Sequence, residues 1–147
     1  MNNRLSYLIT IVVILVILGG CAASPRALEG AEREAVLAYA EPMADNELAA
    51  LNANDYEAFI KDYDETMKKM STPENFANLV TSVSTKLGKY LSREVAFVTA
   101  VGEDTVLVIY RADFENEKDV TVRLSFQPGG EHLIKGIWLD SPKLREK

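Results

Sequence analysis

Few residues of this chain are equipped for chemistry. One cysteine and one histidine among 147 residues exclude a disulfide framework, a zinc site of usual spacing and an iron–sulfur cluster. No cofactor and no metal are therefore expected. His132 sits beside the Gly129-Gly130 turn, where solvent reaches it, and no Ser–His–Asp set assembles around it. Tyr63-Asp64 is a better candidate, a carboxylate inside an aromatic-rich stretch, and Asp140 beside Trp138 is another. A carboxylate held among apolar groups is harder to ionise, which is how acid–base catalysts are tuned. Each also has a plain structural reading: Asp64 as the N-cap of a turn over 65–70, and Asp140-Ser141-Pro142 as a strand exit. Tyr63, Asp64, Met67, Tyr110, Trp138 and Asp140 form the candidate ligand pocket, apolar walls with tyrosine hydroxyls to orient a guest. No residue is assigned a catalytic role.

The elements that must position these groups change character once along the chain. Residues 27–53 read as helix, with Val36, Leu37, Ala40, Met43, Ala44, Leu48 and Leu51 as the apolar stripe. Pro42 either kinks one long helix or opens a second one near Glu41. Residues 56–70 read as two short helices on either side of Tyr63-Asp64, with Phe59, Ile60, Tyr63, Met67 and Met70 facing inward. Thr72-Pro73-Glu74 is a helix start, cap then N1 proline then acid, and Gly88 is its C′ residue.

From residue 89 the period becomes two. Val95, Phe97, Thr99 and Val101 alternate with small residues. Val106, Val108, Tyr110, Ala112 and Phe114 face one way on the next strand, and Val120, Val122, Leu124 and Phe126 on the third. Residues 133–139 form the last. The expectation is an α+β domain, N-terminal helices on one face of a curved four-strand antiparallel sheet. Its outer face would carry Thr121, Arg123, Ser125, Gln127 and Arg111, a mixed polar surface that permits a homodimer or a protein partner.

The N-terminus has the plan of an export signal: Arg4, an apolar run over 5–18, then Gly19-Gly20 before Cys21. Leu18-Gly19-Gly20-Cys21 resembles the lipobox of prokaryotic lipoproteins, in which the cysteine sulfur takes a diacylglyceryl group and the chain is cut just before it. If uncut, residues 5–20 would span only about 24 Å as a helix, short of a membrane core of about 30 Å. Both of these readings leave the domain tethered outside the cytoplasmic membrane; the remaining alternative is Cys21 as a free thiol after an ordinary cleavage site. The resemblance implies a signal over 1–20, a lipidated tether over 21–30 and a domain over 31–147. Ala22, where an Asp would signal inner-membrane retention, points to the outer membrane if the host has one.

Net charge is −6, which leaves no electrostatic footprint for nucleic acid or for anionic lipid headgroups. The acids are concentrated early, with eleven acidic and two basic residues over 27–65. A solvated helix surface accounts for that plainly, and a cationic partner is the sharper alternative.

The order of helices then strands is similar to the nuclear-transport-factor-like, or cystatin-like, cone. Three stretches resemble a family of prokaryotic domains of unknown function: 54–56 leading to 62–68, then Lys86-Leu87-Gly88-Lys89-Tyr90, then Gly136-Ile137-Trp138-Leu139-Asp140-Ser141-Pro142. Enzymes on that cone place polar groups on inward strand positions, where this chain has Val120, Val122, Leu124 and Phe126. The resemblance supplies a fold and not a function; the function expected of the chain is a non-catalytic binding or accessory domain at the cell envelope, taking a small apolar ligand or a partner protein. The alternative is a cone-fold enzyme, an isomerase, dehydratase or hydrolase-like protein using a buried Asp/Tyr pair. The lipobox reading predicts that Cys21→Ser loses metabolic labelling by a tagged fatty acid and leaves the membrane fraction; persistent labelling would overturn it.

Overall fold

The computed structural model describes residues 24–146, so the expected signal, the lipobox-like run and Cys21 lie outside the described residues. The elements in chain order are β1 (Arg26–Ala27), α1 (Gly30–Ala53), α2 (Tyr56–Ile60), α3 (Glu65–Met70), α4 (Pro73–Lys86), β2 (Tyr90–Val101), β3 (Thr105–Phe114), β4 (Val120–Phe126), β5 (Ile134–Asp140) and α5 (Pro142–Arg145). The strands form one antiparallel sheet in the order β1-β2-β3-β4-β5.

The helix boundaries follow from capping chemistry. Asp55 accepts from the Ala58 amide at 3.0 Å, Asp64 from Met67 at 2.8 Å and Thr72 from Asn75 at 3.2 Å. Each side chain thereby satisfies one amide that the first turn leaves without a partner. Asn54 ends α1 in the left-handed region, φ 54°, which a short amide side chain tolerates. Pro42 lies inside a single α1 and does not open a second helix. It is exposed, as is Ala38 four residues earlier. The carbonyl that Pro42 cannot pair therefore belongs to a residue on the solvent side.

The sheet has five strands where four were expected. Arg26 and Ala27 pair with Ala100 and Thr99, and the Leu28 amide donates to the Val98 carbonyl at 2.9 Å. This segment fell within the expected tether and helix start. It joins the sheet because the free edge of β2 would otherwise leave its backbone groups unpaired. Leu28 is buried as a result.

The inner sheet face is the core. Val108, Tyr110, Ala112, Val120, Val122, Leu124 and Phe126 are fully buried, as their period-two spacing predicts. Strand β2 departs from its simple alternation. Register shifts fall between Tyr90 and Ser92 and between Val95 and Phe97. An extra residue reverses which side chains point inward. Val95 is opposite inward Tyr110, but Phe97 is opposite outward Ile109, and Val98 takes the inward place opposite Val108. Phe97 is thus 62% exposed.

Gly88 closes α4 with φ 77° and its amide on the Val83 carbonyl at 3.1 Å. The turn after β3 crosses it closely: a Cβ at residue 88 would lie 2.9 Å from the Glu115 Cβ and 2.8 Å from Glu115 Oε2. Gly88→Ala should therefore cost about 2 kcal/mol, from the left-handed backbone and the collision together, read from urea unfolding curves. An unchanged midpoint would refute this account of the α4–β2 turn.

Candidate functional site

The six candidate residues divide into three places. Tyr63 is fully buried and is fixed by backbone pairing to the start of β5: the Asp64 amide donates to the Ile134 carbonyl at 3.0 Å, and the Ile134 amide to that of Asp62 at 2.8 Å. Its ring stands edge-on to Phe59, centroids 5.3 Å apart. Asp64 caps α3, with Gln127 Nε2 at 3.5 Å from its other oxygen, and Met67 fills the core below. Tyr110 is buried on β3 beneath the Arg93 guanidinium, 4.5 Å from its ring centroid. Trp138 is 58% exposed. It shares the outer sheet face with Asp140, which pairs with Arg145 at 3.0 Å. The sheet stands between the first two places and the third.

Two buried polar groups hold the helices to one another and to the sheet, and neither was singled out by sequence reasoning. Glu47 lies fully buried on α1. Its Oε2 accepts from the Tyr63 hydroxyl at 3.1 Å, while Oε1 has no partner among the described residues. Burial pushes the carboxyl up to about 9, the Tyr63 hydrogen bond works the other way, and the nearby charge of Asp62 adds to the rise. The Tyr63 hydroxyl is pushed well above the usual phenol range, by burial first and then by Glu47. At neutral pH the pair is thus a carboxylic acid accepting from a phenol.

Arg93 projects inward from β2. Its Nη1 donates to Glu41 Oε1 and Oε2 at 2.8 and 2.9 Å, and its Nη2 to the Glu41 carbonyl at 3.0 Å and Asp45 Oδ1 at 2.7 Å. The fork clamps one turn of α1 to the sheet. Burial, with the charge of Glu41 adding to it, raises the Tyr110 hydroxyl above its ordinary value. A signal for both residues was present. Glu47 falls on the helical stripe three residues after Ala44 and four before Leu51, and Arg93 is two residues before inward Val95.

Two surface hollows of ligand size lie among the described residues. One of about 290 Å³ is lined by Ser92, Arg93, Glu94, Arg111, Asp113 and Asp119. Another, of about 450 Å³, is lined by Thr85, Lys86, Asn116, Lys143 and Glu146. Two apolar grooves are smaller, about 120 and 110 Å³. None of the four is lined by Glu47 or by any of the six candidates. Among the described residues, no three His, Cys, Asp or Glu side chains are grouped to hold a metal ion. His132 is half-buried and not simply solvated, because its ring stacks on Tyr39 at 4.0 Å.

A family model described as "Protein of unknown function (DUF3887)" matches residues 44–130. The chain belongs to this family. The match runs from the middle of α1 to the hairpin before β5, so it includes Glu47, Tyr63, Arg93 and Tyr110 and stops short of Trp138 and Asp140. No curated protein and no solved structure gives a significant match.

The Glu47 environment makes a signed prediction. Its carboxyl titrates near the model-peptide value of 4.5 when unfolded and near 9 when folded. Between those limits the folded state binds the extra proton, so the Glu47 contribution to stability falls as pH rises and is flat outside them. Wild type should therefore lose stability relative to Glu47→Gln between about pH 5 and 9 in paired urea titrations. Parallel curves for the two proteins would refute the buried-acid assignment.

Proposed function

We propose that this chain is a lipid-anchored accessory domain outside the cytoplasm, without catalytic activity, that acts by binding a partner protein at the cell envelope. The observation that carries this reading is the use the fold makes of its reactive groups. Asp64 caps a helix, the Tyr63 hydroxyl is held by one oxygen of Glu47, Tyr110 lies under Arg93, and Asp140 pairs with Arg145. No carboxylate–tyrosine pair lines any of the hollows described above, and the candidate pocket residues fill the core or lie on the outer face. A small apolar ligand is less well supported than a partner for the same reason.

The surface offered to a partner is the acid-rich helical side, where Glu57, Asp55 and Glu65 are exposed. The anchor is Cys21, with the outer membrane as its site if the host has one. No helix among the described residues is long and apolar enough to cross a membrane. Four helices ahead of an antiparallel meander support the nuclear-transport-factor-like cone as the name of the fold.

One observation favours the catalytic alternative: Glu47 is a buried acid with a free oxygen and a tyrosine beside it. That reading requires a path for substrate to Glu47 Oε1. A photoreactive amino acid at Glu57 or at exposed Ala49, irradiated in intact cells, should give a discrete adduct of defined mass. Lack of any adduct from both positions would overturn the partner reading. If Glu47→Gln abolishes the cellular phenotype while the fold and the adduct persist, catalysis is the better account.

A further inference from the structure

The sheet face turned away from the helices carries a transverse row, Phe97, Ile109, Arg123 and Trp138, one residue from each of β2 to β5 at matched register. Phe97 and Trp138 are its ends, 62% and 58% exposed. Three strand spacings of about 4.8 Å put them roughly 14 Å apart. Of the two neighbouring rows, Thr99, Leu107, Ser125 and Gly136 is uncharged, and Glu94, Arg111, Thr121 and Asp140 carries two acids and one base. Arg123 has no ion-pair partner among the described residues, whereas Asp140 on the same face is held by Arg145. Exposed aromatic rings beside an arginine are the side chains that settle at the boundary of hydrocarbon and headgroup.

The position of the anchor selects what can meet this row. Cys21 precedes Arg26 by five residues, a reach of at most roughly 17 Å. Ala27 pairs with Thr99, two residues from Phe97, so the tether enters the fold within about 10 Å of the row. A tether of at most roughly 17 Å is well short of the diameter of such a domain, whose radius of gyration alone is about 14 Å, so it keeps the β1 edge close to the membrane. Two surfaces meet at the β1 edge. The helical one opens with Glu29, Glu32 and Glu34, all exposed, and the other is the aromatic row.

We propose that the outer sheet face lies in the headgroup region of the membrane holding the anchor, with Phe97 and Trp138 as interfacial side chains and Arg123 between them at the lipid phosphates. The acid-rich helices then point away from the bilayer, toward partners. This assignment rests on the anchored reading of Cys21.

The chain has a single tryptophan, Trp138, so its fluorescence reports on this face alone. The full chain, expressed in a lipidating bacterium, is reconstituted into phosphatidylcholine vesicles with or without bromine on the acyl chains. The expected result is flotation with the vesicles, blue-shifted emission and about a twofold loss of intensity in brominated vesicles. Phe97→Asp, at an exposed position, should restore most of that intensity with an unchanged unfolding curve. A chain that floats while Trp138 emits as in water and escapes the brominated lipid overturns the proposal alone. Blue-shifted emission without bromine quenching also overturns it, and assigns the face to a second copy or a protein. A chain that does not float refutes the anchored reading, and the proposal with it.

Discussion

Glu47 must be accommodated inside the core, and several other placements follow from that one requirement. Helix α1 buries the stripe that contains it, with Ala40, Ala44 and Leu48 at zero exposure. An ionised carboxylate there would carry a desolvation penalty of several kcal/mol, which protonation and a hydroxyl donor relieve. The donor is Tyr63, so the chain at 62–64 has to pass close to α1. Asn46 reinforces the approach from the next position, donating to the Ala58 carbonyl at 2.7 Å and to Asp62 at 3.1 Å. The extended piece that results pairs with Ile134 at the head of β5. The break between α2 and α3 is therefore the consequence of a tyrosine that cannot be both helical and within reach of Glu47 and β5. Asp64, left just outside the next helix, becomes its cap.

The same helix is held at its other turn by a different device. Arg93 sits where a strand residue should be apolar, and its fork reaches Glu41 and Asp45, one helical turn apart. The two carboxylates and the Tyr110 face give the buried guanidinium both charge and stacking partners. Helix α1 is thus bound to the α2–α3 break through Glu47 and Asn46 and to β2 through Arg93. On the same stripe the small residues Ala40 and Ala44 let the helix pack closely. These polar contacts fix where the helix sits along the sheet, which apolar packing alone specifies less sharply. The groups best suited to chemistry are consumed in this positioning, and for that reason the functional reading moves from the interior to the surface.

That surface is shaped by the bulge in β2. Without it, Phe97 would join Val95 in the core; with it, the ring is turned outward into a row with Trp138. Membership of a family without an assigned activity leaves the two faces as the informative features, acidic on the helices and aromatic on the sheet.

Much of the fold was legible in the sequence, because local chemistry decides it. Thr72-Pro73 starts a helix by capping and φ, Gly88 ends it by its left-handed backbone, and 120–126 alternates as a half-buried strand must. The two short helices around Tyr63-Asp64 could be read for the same reason. Glu47 and Arg93 were in principle visible as charges in apolar patterns, but the pattern cannot name the partner. Tyr63 is sixteen residues from Glu47 and Glu41 fifty-two from Arg93, and such pairs are chosen by packing. Nor did period-two alternation contain the insertion before Phe97, since a bulge is set by pairing with β3. Residue types and local spacing determined the long helices and the four main strands. Only the tertiary structure decided which polar groups meet inside and which aromatic rings remain outside, because burial is a property of the assembled chain.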